Sequence, residues 1–422
     1  MERSAGVQVE LPLVIALKNT LRSLPIRRKH FSGRGSAVRL DGGRSHVEET
    51  DFVVVGGGVY GAALAYELVV RGASVTLLEA GRLATRASGG PGKRGVRANG
   101  RNSRELSLAR EALTRWPDLS AELGSETGFE RIGGLMLVRS MPSLGEIGLA
   151  RAEAHLRLQV AHGISTELVD REGLAELEPG VDGTQIAALY TPGEGIADQR
   201  ATAHAYAAAA EKRGASIRES SPVEDFSTSP RPTVRLRDGT RLEAGRAIVL
   251  TTNYGTNALL GRSEQSQLPL WTMVPQVLMV RPRGNYRPRH LVAHLQETLS
   301  VKPLADGITM ISGGMRGRWN PATASGEPVE AMISESLDIA SSVFPPLCDG
   351  ELVAADASVP ETYTPDGLPY VDFLDLDARV FVAAGWHGHG FAIAPSVARH
   401  VAEWLITGRR PEVLAPFKIR RS

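Results

Sequence analysis

Apolar positions in this chain come in short runs punctuated by glycine. Residues 52–55 (FVVV) form an apolar, largely β-branched run, the pattern of a strand buried on both faces. Residues 56–61 (GGGVYG) follow at once, then a helical stretch to Arg71, a turn at Gly72, a second apolar run at 75–78 and the acid Glu79. This order predicts strand, tight turn, helix, strand and acid, the βαβ layout of a dinucleotide site. Gly56 permits the turn, Gly58 lets a pyrophosphate approach the backbone, and Gly61 lets the helix close on the sheet. The helix opens at Val59 and Tyr60, where free N–H groups and the positive dipole end favour an anion. Glu79, eighteen residues past Gly61, is placed to accept hydrogen bonds from two ribose hydroxyls, and its charge would repel a 2′-phosphate. The motif alone does not choose between NAD and FAD.

Beyond Glu79-Ala80 a second glycine-rich loop, 88–97 (SGGPGKRGVR), carries Ser88 and Gly89 and then two arginines three apart, Arg94 and Arg97. Leu106, Ala109, Leu113 and Trp116 at helical spacing predict an amphipathic helix over 102–123. Further on, a strand is expected at 131–138, helices at 149–162, 172–179 and 201–213, and a strand running into Val223. A hairpin over 233–236 and 241–243 turns at Asp238-Gly239, and a buried strand follows at 247–252. Short strands alternate from 268 to 315, among them 276–280 and 309–312, before a helix at 328–343 and a turn cluster at 364–369 (TPDGLP). The last unit repeats the opening theme. An apolar strand at 380–384 runs into Gly385-Trp386-His387-Gly388-His389-Gly390. A helix over 391–407, beginning at Phe391, places Ile393, Val397, Val401 and Leu405 on one face and stops at Gly408.

Composition narrows the classes. A chain of 422 residues suggests two domains, or two interleaved ones. Lys+Arg 48 against Asp+Glu 47 gives no charge excess that would point to nucleic acid. The single cysteine, Cys348, excludes a disulfide framework and a CxxC site, and fits a reducing, cytoplasmic setting. No window reaches eighteen uninterrupted apolar residues, so no membrane span is expected. Residues 1–49 are basic, with Arg22, Arg27, Arg28 and Lys29 among Ser and Gly. Glu10 and Pro12 interrupt their one apolar stretch, which favours a disordered or loosely docked extension, or a start placed too early, over a targeting peptide. His387 and His389 form a His-x-His pair, but no third ligand has helpful spacing, so no metal is expected. Trp386 and Trp404 are expected in the core, and Tyr254 and Tyr363 either line a pocket or pack.

Five motifs in order, VVVGGGVYGAALAYEL with Glu79, the SGG loop with its two arginines, DGTRLEAGRAIVLTT, YTPDGLPYVD and GWHGHGFAIAP, resemble the FAD-dependent oxidoreductases of the D-amino-acid oxidase superfamily over about residues 50–420. The resemblance implies α/β and α+β architecture: a glutathione-reductase-type Rossmann domain (50–125, 195–265, 355–422) interleaved with an antiparallel-sheet substrate domain (126–194, 266–354). It implies that Gly56, Gly58, Gly61 and Glu79 hold the ADP half and that Val223 meets the adenine. The loop around Ser88, Gly89 and Arg94 and the turn at Gly385, Gly388, His389, Gly390 and Phe391 would grip the flavin. The implied reaction is hydride removal from a carbon beside an amine nitrogen, giving an imine that hydrolyses, with dioxygen or another acceptor reoxidising the flavin. Arg97 matches a substrate-carboxylate arginine of the sarcosine oxidase branch, and His387, His389 and Glu361 are further candidates at the reacting end.

Departures accompany the matches. The lysine expected after the GHGF motif is Ala392, and Glu361 stands where the glycine oxidase branch has an arginine. Val359 stands where a flavin-linking cysteine occurs, so the FAD is expected to be noncovalent, and the usual ATG is Thr251-Thr252-Asn253. Glu361 is read either as a partner for a substrate cation or as an ion-pair partner of Arg94 or Arg97, and Lys302 as a candidate positive charge beside the flavin. Two alternatives to amine oxidation are a tailoring dehydrogenase on a larger natural product and a flavin-binding subunit active only in a complex.

Overall fold

Strand Glu48–Val55 pairs in parallel with Arg241–Leu250 on one side and Val75–Leu78 on the other, so that Val55 lies opposite both Leu250 and Leu78. A computed structural model describes residues 48–140, 145–374, 377 and 379–421. The expected basic extension lies outside the described residues except for its last two positions, which already belong to this strand. The sheet order is Tyr370–Phe373, Val380–Ala384, Arg241–Leu250, Glu48–Val55, Val75–Leu78, Ser216–Arg218, with only the Tyr370–Phe373 edge antiparallel along this path. Parallel strands need both faces covered, and the period of two assigns the faces. Phe52 and Val54 join a core made with helices Val59–Val70, Gln199–Glu211 and Ala394–Thr407. Val53 and Val55 join a second core with Phe226, Val234 and Leu259. Small residues such as Ala62, Ala65, Ala203 and Ala207 are fully or nearly fully buried in the helical layer, which lets helix backbones approach closely.

A second eight-stranded sheet has the order Glu351–Asp356, Val277–Arg281, Thr309–Ser312, Ser300–Pro303, Leu291–His294, Gly134–Arg139, Gln185–Thr191, Glu167–Asp170. Its pairings are antiparallel except one: Leu291–His294 runs parallel to Gly134–Arg139. These two strands are far apart in sequence, so no hairpin dictates their direction. Helix Glu330–Val343 packs on this sheet through Ile333, Ala340 and Val343. A short ribbon of Lys93–Val96 against Gly195–Asp198 anchors the second glycine-rich loop.

Three expectations need correction. The 102–123 helix is four pieces, with Leu106–Arg115 and Leu119–Leu123 separated by a 3₁₀ turn at Trp116–Asp118. Pro117 has no N–H to continue the α ladder. The hairpin arm at 241–243 and the buried strand at 247–252 are one strand, Arg241–Leu250, antiparallel to Thr233–Leu236 at its start and parallel to Glu48–Val55 along its length. The last helix begins with a 3₁₀ turn, Gly390–Ile393, before Ala394–Thr407, and ends at Gly408 with φ +72°.

At Gly61 an added Cβ would lie 1.9 Å from the Gly56 carbonyl oxygen. Gly61→Ala is therefore expected to destabilise by at least ~2 kcal/mol and to lower the thermal unfolding midpoint of the flavin-free protein. An unchanged midpoint would show that the turn can move.

Candidate active site

The opening turn keeps its shape through backbone contacts. Gly56 has φ +108° and lies so close to Thr251 that a Cβ would sit 3.0 Å from that residue's backbone. Gly58 is different: a Cβ there would meet nothing within 4 Å, and no side chain caps the helix it precedes. The first N–H groups of the helix thus begin at an open face, where they suit an anion. Glu79 is held in place, its Oε2 accepting from Gly57 N–H at 2.7 Å and its Oε1 from Gly81 N–H at 2.8 Å.

A cavity of about 400 Å³ joins three regions distant in sequence. Gly56, Gly58, Val59 and Tyr60 line it together with Glu79, Ala80 and Val223; Ser88, Arg94 and Glu361 belong to the same wall, as do Gly388, Gly390 and Phe391. The remaining predicted cofactor residues lie behind this lining. Gly61 packs on the Gly56 carbonyl, Gly89 (φ +83°) lies against the Arg94 guanidinium, and Gly385 (φ +87°) donates its N–H to Asn253 Oδ1 at 3.2 Å. Arg97, His387 and His389 do not line this cavity.

The two glycine turns touch. Tyr60 donates its hydroxyl to the Gly390 carbonyl at 2.7 Å and stacks on Trp386 with ring centroids 3.7 Å apart. Trp386 is buried, as expected of a core residue, but it also borders the cavity. His387 adopts φ +54°, a conformation costly for a side chain with a Cβ. It is held there by its N–H donating to Thr362 O at 3.0 Å, while its Nε2 accepts from Thr364 N–H at 3.0 Å. That acceptor role puts the proton of the neutral ring on Nδ1.

Charge is arranged around this contact. Arg94 donates to the carbonyls of Ser88 (3.0 Å), Gly90 and Gly92 (3.1 Å), so the loop folds around its guanidinium, and burial lowers its pKa to about 10. Arg101 donates to the His389 carbonyl at 2.6 Å and to His389 Nδ1 at 3.3 Å, leaving the histidine proton on Nε2. Burial first, then Arg101, Arg97 and His387, hold the His389 pKa well below its usual value, so the ring is neutral near pH 7. Glu105 lies 3.6 Å from Arg101 and 3.7 Å from His389 Nδ1 with neither oxygen hydrogen-bonded, and burial raises its pKa. Arg97 has no hydrogen bond or ion pair from its guanidinium to any described residue; burial and then Arg101 lower its pKa. Lys302, 5% exposed, donates only to Ser312 Oγ at 3.2 Å. Burial, followed by Arg94 and Arg97, lowers its pKa to about 7.

Glu361 is not paired with either arginine. Its carboxylate accepts from Ser88 Oγ (2.6 Å), Asn253 Nδ2 (2.6 Å) and Thr362 N–H (2.7 Å). Asn253, with φ +46°, also accepts from the Thr362 hydroxyl. Sequence reasoning noted Asn253 only as a departure and missed Arg101 and Glu105, although their opposite charges four residues apart were a usable signal. Tyr254 lines the cavity beneath Arg86, whose guanidinium lies 5.6 Å from the ring centroid. Among the described residues, no group of three or more His, Cys, Asp or Glu could hold a metal ion, and no helix is long and apolar enough to cross a membrane.

An uncapped helix start, a fixed carboxylate at the end of the second strand and a second glycine turn facing the same cavity define a dinucleotide-dependent oxidoreductase, and the open face at Gly58 leaves room for a pyrophosphate. The chain belongs to the FAD dependent oxidoreductase family, whose profile matches residues 51–404. It is 26% identical over 386 residues to glycine oxidase of Geobacillus kaustophilus, spanning 88% of this chain and 97% of that protein. The crystal structure of glycine oxidase from Geobacillus kaustophilus superposes with a TM-score of 0.76 at 25% identity, over 89% of this chain and 100% of the other. Sarcosine oxidase subunit beta of an Arthrobacter species is 25% identical, with 88% and 90% covered. The mouse mitochondrial pyruvate dehydrogenase phosphatase regulatory subunit is 24% identical over 88% of this chain, but the match spans only 43% of that longer protein. The chain is an FAD-dependent oxidoreductase, and the oxidases among these relatives are named for glycine and sarcosine, an amino acid and an N-methylated one.

Because Gly58 faces open space, Gly58→Ala is expected to leave the unfolding free energy of the flavin-free protein within about 1 kcal/mol of wild type while cutting the flavin retained on purification severalfold, as absorbance near 450 nm would show. For Lys302, the folded pKa of about 7 lies below its unfolded value, so the unfolded chain binds the extra proton between about pH 7 and 10.5 and wild-type stability rises across that window. Lys302→Met is expected to raise the unfolding midpoint at pH 7 and to gain much less at pH 10. Equal gains at both pH values would contradict this account.

Proposed function

We propose that the chain oxidises a C–N bond in an amine or amino acid. When bound, FAD supplies the acceptor for the hydride that leaves the carbon next to nitrogen. Gly56–Gly58, Val59, Tyr60, Glu79, Ala80 and Val223 hold its nucleotide part, and Ser88, Arg94, Gly388, Gly390 and Phe391 hold the remainder. On this reading the segments of the first sheet carry the cofactor and strands of the second enclose the substrate. The observation that carries the proposal is the single cavity bordered by both glycine turns, beside a buried cationic cluster in which Arg97 is unpaired.

Arg97 and Lys302 anchor the substrate carboxylate. A carboxylate there supplies the direct ion pair that Arg97 lacks, since Glu194 and Glu105 act on its guanidinium only from beyond ion-pair distance, and such a charge-assisted bond is strongest where water is excluded. His389, fixed as its neutral Nε2–H tautomer by Arg101, presents a hydrogen-bond donor without adding a further charge beside Arg97. His387 holds the glycine turn in shape. The C–H bond of the substrate breaks with its electron pair while the nitrogen lone pair forms C=N, so the nitrogen must enter that step unprotonated; water then hydrolyses the imine. Val359 leaves no thiol for a flavin linkage at that position, and Cys348 is exposed, which supports a noncovalent cofactor. The free thiol also supports a reducing, cytoplasmic setting. Dioxygen or another carrier takes the electrons.

The test is anaerobic bleaching of the purified yellow protein by a panel of amines and amino acids, with acid precipitation releasing the flavin. A flavin left oxidised by every compound refutes the reaction. Arg97→Ala is expected to weaken apparent affinity for carboxylate-bearing substrates by roughly 10–100-fold while changing neutral amines little. Equal effects on both would make Arg97 a structural residue.

A further inference from the structure

Glu361 is a buried carboxylate in the wall of the cofactor cavity that has no cation. It is 4% exposed, and its three donors, the Ser88 hydroxyl, the Asn253 amide and the Thr362 N–H, are all neutral. No described residue forms an ion pair with it. The arginines of the same cavity wall are engaged elsewhere: Arg94 with three loop carbonyls, Arg86 over the Tyr254 ring at 5.6 Å, Arg237 with the Glu224 carboxylate and Arg262 with the Glu224 carbonyl. Burying a carboxylate costs several kcal/mol, on the order of magnitude expected for an ion in protein. Three hydrogen bonds offset part of that cost, and a counter-charge from outside the chain would offset more.

The carboxylate is also held still. Asn253 is pinned through Oδ1 by Gly385 N–H and the Thr362 hydroxyl, and the Ser88 loop is folded around Arg94. Glu361 itself sits in a strand paired with Trp271–Met273. A carboxylate has about four acceptor positions. Two donors occupy Oε1 and one occupies Oε2, so one position on Oε2 remains. The Ser88, Asn253 and Glu361 side chains all belong to residues that border the cavity.

We infer that Glu361 is a substrate-binding residue that selects an amine carrying a second, protonated nitrogen, as in a diamine or a basic amino acid. The nitrogen it holds is not the one oxidised, because the reacting nitrogen must give up its proton before its lone pair can form C=N. In the cavity wall Glu361 is complementary to a cationic group that lies outside the reacting bond. The assignment rests on the amine-oxidising reading and narrows its substrate.

Calorimetry on the flavin-loaded protein with 1,5-diaminopentane and 1-aminopentane tests it by binding alone. The diamine is expected to bind at least 10-fold tighter to wild type. Glu361→Gln and Glu361→Met should abolish that advantage, and Glu361→Asp, which keeps the charge, should retain most of it; flavin content and unfolding midpoint identify which variants are intact. Equal affinities in wild type, no binding of either amine, or an advantage that survives in an intact neutral variant would overturn the assignment. Anaerobic bleaching scores the reaction separately. A diamine bound through Glu361 that leaves the flavin oxidised would refute the oxidation reading and leave the cation site standing.

Discussion

The hydroxyl of Tyr60 on the Gly390 carbonyl, with the Tyr60 ring flat on Trp386, joins the two ends of the folded chain. Tyr60 is the second residue of the first helix, and Gly390 begins the turn into the last. Each turn by itself is an uncapped helix start with unsatisfied N–H groups. Their contact makes one cavity bordered by both and buries the Tyr60 and Trp386 rings. Burial of Tyr60 also keeps its phenol protonated and donating, since its pKa is raised well above the usual value. The glycines serve this approach. Gly390 lies so close to Trp386 that a Cβ would fall 2.7 Å from its side chain.

Around this junction the inward charges fall into two groups, those with partners and those without. Arg94 and Arg101 are saturated by backbone carbonyls, and Arg101 adds a histidine and Glu105; they hold loops. Lys302 is buried and Arg97 half-buried without such partners, which is expensive for stability. Glu361 is the mirror case, an anion satisfied by neutral donors alone. Buried ions left without a partner of opposite charge are poor design for stability, and they suit a polar ligand because little reorganisation is needed when one arrives.

The parallel sheet explains why the cofactor region was so legible. Its strands are short apolar runs, its turns are glycine patterns with fixed spacing, and both follow from local geometry. The second sheet is less regular: strands such as Arg318–Asn320 and Ser325–Glu327 are three residues long and stand outside it as a separate hairpin. Its one parallel pair, Leu291–His294 with Gly134–Arg139, joins segments whose pairing no local signal encodes. Pro117 was visible as a helix breaker, but the apolar spacing on either side of it masked the break, because 3₁₀ and α turns keep similar faces over a few residues.

By itself the sequence determined the βαβ unit, the glycine turn at Gly56, Gly58 and Gly61 with Glu79 just past the second strand, and the second strand-to-helix turn at 385–390. Spacing within a dozen residues sets backbone conformation and helix direction, and those are local properties. Only the tertiary structure decided which charges are paired. Arg94 and Arg97 are three residues apart and look alike in sequence, yet one is filled by carbonyls and the other is left open. Glu361 met Ser88 and Asn253, residues 273 and 108 positions away, rather than an arginine. Pairing at that range depends on how sheets and loops pack in space, and no periodicity along the chain records it.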